Sequence, residues 1–133
     1  MSWFTRDTDP RLFACACGRE TCDAPGPSAD LLHRLDQLRE VVGRAILVTS
    51  GPRCRWHTAQ PGVKGAVDSD HLTGDGADLL CRDSKSRFDL LQANFAGGGP
   101  IFTRLGIGAD FVHVGVVAGK SQQVVWTYYV KGA

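Results

Sequence analysis

The feature that most limits the fold is the alternation of helical and β-type periodicity within a short chain. Leu31, Leu32, Leu35, Leu38, Val41 and Val42 recur at helical spacing. Ser28 stands where a cap belongs and Gly43 where a helix should stop. A β-branched run at 45–49 follows and predicts a buried strand. Residues 76–81 predict a second strand, and 84–95 a second helix with Phe88, Leu90, Leu91 and Phe95 on its apolar face. Two further strands are expected at 111–117 and 124–130, joined as a hairpin through 118–121. From Ser50 to Asp70 the chain is polar and rich in Gly and Pro, which predicts a long loop. Helix, strand, long loop, strand, helix and hairpin together define an α+β domain. Its small, mostly antiparallel sheet should carry the helices on one side.

At 133 residues the chain suits a single domain. Residues 30–133 form its body, and the Asp-, Gly-, Pro- and Cys-rich residues 1–29 form an N-terminal arm. A net charge of +1 argues against a dedicated nucleic-acid binder. No stretch approaches the ~20 apolar residues of a membrane span, so no membrane insertion is expected. Residues 1–7 bear no export signal. The expectation is synthesis in the cytoplasm, with any substrate outside the membrane reached by lysis or by delivery on a particle. Cys15, Cys17, Cys22, Cys54 and Cys81 make an odd count. Cys15, Cys17 and Cys22 cluster locally. Disulfides, buried thiols, or a structural zinc completed by Cys54 or a histidine are the open alternatives.

The chemistry concentrates in two segments. In Ser69-Asp70-His71-Leu72-Thr73-Gly74-Asp75-Gly76-Ala77-Asp78, a glycine-bearing turn can bring an imidazole and a carboxylate together, and both are good zinc ligands. In Asp110-Phe111-Val112-His113-Val114, a histidine interrupts an apolar strand, with a carboxylate three residues ahead. His71, Asp78 and His113 together offer three protein ligands, leaving an open fourth position as catalytic zinc sites do. Asp110 is then the candidate general base.

These two segments resemble the zinc D-Ala-D-Ala carboxypeptidase and L-Ala-D-Glu endopeptidase family (peptidase family M15), whose fold is shared with the hedgehog signalling domain. Ser-x-His-x-x-Gly-x-x-x-Asp followed by acid-x-x-His carries the likeness, supported by Ser50-Gly51-Pro52-Arg53 and His57, over roughly residues 30–130. The likeness is strongest to short phage-encoded members. It implies Zn2+ on His71, Asp78 and His113, Asp110 as base, and Arg53 as oxyanion or carboxylate donor. Ser69 would contact substrate or simply shape the turn. His57 would line the cleft or stabilise the loop.

Three positions depart from the family pattern. Gly76 replaces the usual Ala, a change expected to be harmless. Pro52 replaces an aromatic beside Arg53. Gly115 stands where short members often carry Asp, removing a partner for His113. Trp56, Trp126, Tyr128 and Tyr129 are candidates for either a substrate groove or the core. The resemblance implies hydrolysis of peptidoglycan stem peptides, in a phage-related lysis enzyme or a wall hydrolase associated with other tail proteins. The competing class is a zinc-containing virion module without turnover.

Overall fold

Helix α2, Ala29–Val42, starts where Ser28 accepts a hydrogen bond from the Leu31 amide and stops where Gly43 adopts a left-handed φ of 77°. A computed structural model describes residues 2–61 and 69–128. Its element order is α1 (Pro10–Phe13), α2, β1 (Val48–Ser50), α3 (Arg55–Thr58), a 3-10 turn (Asp70–Thr73), β2 (Gly76–Leu80), α4 (Ser84–Phe95), β3 (Arg104–Ile107), β4 (Phe111–Gly115) and β5 (Val124–Thr127). Residues 62–68 of the expected long loop, and Tyr129 and Val130 of the last expected strand, lie outside the described residues.

The five strands form one sheet in the order β1-β2-β4-β3-β5. Three pairings are antiparallel and β3–β5 is parallel. The α+β expectation therefore holds, with one change in connectivity. The segments at 111–117 and 124–130 do not form a hairpin. Both edges of β4 are already occupied, by β2 and by β3. Strand β3, which the sequence reading did not anticipate, turns through Gly108–Asp110 into β4, and β5 must cross over to add alongside β3. Four residues with a glycine at their centre give too little alternation to signal a strand.

Strand alternation divides the sheet into two chemically distinct faces. Ala77 and Leu79, Leu105, Val112 and Val114 join Leu31, Leu35 and Leu38 of α2 and Leu90 and Ala93 of α4 in the core. The other face carries Asp78 and His113. The N-terminal arm also enters the core, through Phe4 and Leu12. Helix α4 is rotated from the expected orientation. It buries Leu90, Ala93 and Asn94, while Phe88 and Phe95 point outward.

Asn94 fixes the entry to β3. Its side-chain amide donates to the Phe102 carbonyl at 3.0 Å and accepts from the Phe102 amide at 2.8 Å, all within the buried interior. Asn94→Ala strands both backbone groups and is expected to cost about 3 kcal/mol. Urea unfolding should show a lower midpoint with an unchanged slope.

Candidate metal centre

The β2–β4 register sets Asp78 directly opposite His113, and the same row runs on to Ser50 on one side and to Gly106 and Trp126 on the other. His71 reaches this row from the 3-10 turn, whose start is capped by Ser69 and whose end is Gly74 in the left-handed region. The ligand atoms of His71, Asp78 and His113 all lie within 4.8 Å of one another. His71 Nε2 is 3.2 Å and His113 Nδ1 is 2.9 Å from the same Asp78 oxygen.

The partners of the opposite ring nitrogens decide what these contacts are. His71 Nδ1 is 2.6 Å from the Gly51 carbonyl, which can only accept, so this nitrogen carries the proton. His113 Nε2 is 3.1 Å from an Asp70 carboxylate oxygen and is likewise the protonated one. In the neutral rings, Nε2 of His71 and Nδ1 of His113 are therefore bare lone pairs turned on a carboxylate. Three acceptors facing one another are satisfied by a cation between them or by a proton on one of the rings. Two imidazole nitrogens and one carboxylate oxygen match the preferences of zinc, so the donor set fits this metal.

The protonation tendencies differ between the two rings. Burial pushes the His71 pKa down, keeping its ring neutral. Burial also opposes charge on Asp78, but hydrogen bonds from His113 and His71 outweigh it and hold the carboxyl well below the usual range. In His113, burial is outweighed by hydrogen bonds to Asp70 and Asp78, and the net shift is upward.

Asp70 is the residue that the sequence reading missed. It is 3% exposed. Besides His113 it accepts from Arg104 Nε at 3.2 Å and Nη2 at 3.3 Å, and from Lys120 Nζ at 2.7 Å. Burial would raise its pKa, but these donors, led by His113, depress it far below the ordinary carboxylate range. A carboxylate on the distal nitrogen of a metal-binding histidine fixes ring orientation and makes the ligand more basic.

Two readings made on the sequence are corrected here. His113 does not lack a partner on account of Gly115, because Asp70 supplies one. A Cβ at Gly115 would fall 2.1 Å from an Asp70 carboxylate oxygen. Nor is Gly76 a neutral exchange for Ala, since its Cβ would meet Asp70 Cβ at 2.7 Å and His113 Cε1 at 2.9 Å. Gly76 and Gly115 leave the space that the Asp70 carboxylate occupies.

The remaining candidates fall into place around this centre. The Arg53 amide donates to the His71 carbonyl at 3.0 Å, and its Nη2 is 3.5 Å from Ser69 Oγ. Arg53 Nε is buried and has no hydrogen-bond partner among the described residues. Ser69 Oγ accepts from the His71 amide at 3.2 Å, which gives it a turn-shaping position. A cleft of ≈ 230 Å³ includes Arg53, His57, Gly51 and Arg11 in its walls. Trp126 stands beside His113 with ring centroids 5.5 Å apart. Asp110 is not joined to this cluster. It lies exposed in the β3–β4 turn, where its carbonyl accepts from the Cys81 amide at 2.7 Å. Three positions along a strand place it about 10 Å from His113 and on the opposite parity.

A family model described as peptidase M15 matches residues 9–115. The chain belongs to the peptidase M15 family. Membership implies hydrolase activity on a peptide substrate. Comparison with curated protein sequences gives no match. Among the described residues of this M15 chain, no helix is long and apolar enough to cross a membrane.

Asp70→Ala is expected to weaken zinc binding about 10- to 100-fold, measured by chelator competition. Adding Gly115→Asp to that variant should recover much of the loss, because the vacated space is where the new carboxylate would stand. In an Asp70 background, Gly115→Asp alone should be damaging.

Proposed function

We propose that the chain is a zinc metallopeptidase that hydrolyses peptide bonds in the stem peptides of bacterial peptidoglycan. The observation that carries the metal assignment is the convergence of three ligand atoms, from His71, Asp78 and His113, within 4.8 Å of one another, with the opposite ring nitrogens turned to Gly51 and Asp70. Zinc held there supplies Lewis acidity, polarising a carbonyl and activating water at neutral pH. The wall substrate, and a place in phage-related lysis or on a phage tail, rest on the likeness to short phage-encoded family members. Action at the cell wall belongs to the same proposal.

Within this reading the chain's own residues have distinct tasks. Arg53 meets the substrate's carbonyl oxygen or carboxylate, and its Nε, with no partner among the described residues, is a donor awaiting an acceptor. Asp70 keeps the His113 ring oriented, with Arg104 and Lys120 balancing its charge. Ser69 holds the turn that presents His71. Trp126 and the cleft beside Arg53 and His57 form the walls along which a peptide would lie. Proton transfer is given to Asp110, which requires the 108–110 turn to bring its carboxylate round to the His113 face.

The exposed position of Asp110 favours a second reading, a zinc-stabilised module without turnover. Purified peptidoglycan and metal analysis separate the two. The peptidase reading expects wild type to bind zinc at this centre and release muropeptides, and His113→Ala to lose both. Arg53→Ala should keep its zinc and lose about 10²–10³-fold in kcat/KM. Asp110→Asn should keep zinc and lose about 10²–10⁴-fold in kcat. An unchanged kcat would remove Asp110 from the mechanism, and a zinc-loaded wild type that cuts no wall would leave the module reading standing.

A further inference from the structure

A second group of potential ligands lies outside the His71, Asp78 and His113 centre. Cys15, Cys17 and Cys22 come from the N-terminal arm, and Cys54 caps α3. Their four sulfurs all lie within 4.8 Å of one another. Cys15 Sγ and Cys54 Sγ are 3.9 Å apart, nearly double the ~2.05 Å of a disulfide. Four sulfurs bound tetrahedrally at about 2.3 Å from one ion are separated by about 3.8 Å. The Cys15–Cys54 distance is that of a tetrahedron's edge, and the other sulfurs lie close enough to complete one.

Backbone donors are aimed at three of the four sulfurs, against a burial that pushes the Cys15 thiol up to about 12. The Cys54 amide donates to Cys15 Sγ, the His57 amide to Cys54 Sγ and the Arg19 amide to Cys17 Sγ, each at 3.4 Å. Gly18, with φ +73°, makes the left-handed turn between Cys17 and Arg19. His57 Nδ1 is 3.2 Å from Cys15 Sγ, within reach as a further donor. Amide donors aimed at sulfur favour the charged form, and a thiolate is what a metal binds.

We propose that Cys15, Cys17, Cys22 and Cys54 form a closed, structural zinc site. Each thiol gives up its proton as the metal binds. The four sulfurs fill the coordination shell, leaving no open position for chemistry. The ion ties residues 15–22 of the arm to the residue that follows Arg53. It thereby braces the wall of the cleft that Ala14, Ala16, Arg53 and His57 share. His57 then touches this sulfur site through Nδ1 while its ring stays in the cleft wall. The proposal stands independently of the peptidase reading, since it uses none of the same ligands.

The test is metal content of the full chain, purified reduced and without chelators. Wild type should hold two zinc ions, Cys17→Ser/Cys22→Ser one, and His71→Ala/His113→Ala one. Cobalt loading identifies which site remains. The wild-type and histidine-variant proteins should show sulfur-to-cobalt charge transfer in the near ultraviolet, and the cysteine variant should not. If the cysteine variant fails to fold, the cobalt spectrum of wild type alone still decides. Absence of the charge-transfer band overturns the proposal. So does alkylation with mass analysis showing these cysteines paired as disulfides in the freshly purified protein. Loss of zinc from the histidine centre alone would count against the peptidase reading and leave this one intact.

Discussion

The pairing of β2 with β4 is the constraint on which the rest of the molecule depends. Leu79 lies opposite Val112, Ala77 opposite Val114, and Asp78 opposite His113. Because side chains alternate between faces, burying the first two pairs obliges the third to emerge on the other side. A slip of one residue would drive an aspartate into the apolar core and expose its leucine and valines. The hydrophobic register and the ligand register are therefore the same fact. Stability of the core enforces the geometry of the site without any interaction dedicated to that purpose.

The cost of such an arrangement is charge brought into a confined space, and the structure meets it with matched groups. Asp70 is buried but accepts from His113, Arg104 and Lys120. A buried carboxylate with three donors is tolerable, whereas one with a partner missing is strongly destabilising. Arg104 is in turn held over the Trp126 ring at 5.1 Å and bonded to the Ser121 carbonyl. The crossover loop leading to β5 is thus fastened by the same cluster that orients His113. Gly76 and Gly115 contribute by absence, clearing the volume that Asp70 occupies.

The arm belongs to the same construction. Leu12 and Phe4 enter the core, Ser28 donates its amide to the Gly74 carbonyl, and the arm's cysteines meet Cys54. Arg53 consequently sits between two side-chain clusters. Its amide is tied to His71, and its neighbour Cys54 to Cys15. This bracketing gives a reason for an arginine to present an Nε with no partner among the described residues, without collapsing onto the nearest acceptor.

Much of this was legible in the amino-acid order. Periodicity and caps located α2 and α4. The pairing of a glycine-bearing His-to-Asp turn with a histidine in an apolar strand identified the residues that meet at the centre. Local patterning can do this because helix phase, turn chemistry and strand alternation are properties of neighbours in the chain. What the sequence could not supply was every choice that depends on what lies across space. Strand β3 and the parallel placement of β5 follow from which edges of β4 are already taken. The importance of Asp70 follows from two glycines, one six and one forty-five residues away, that make room for it. The outward turn of Asp110 follows from its parity relative to His113 once β4 is fixed in the sheet. The sequence by itself determined which side chains are candidates for the chemistry. Only the tertiary structure decided which of them share a space, because hydrogen bonds, excluded volume and buried charge act between surfaces that packing alone brings together.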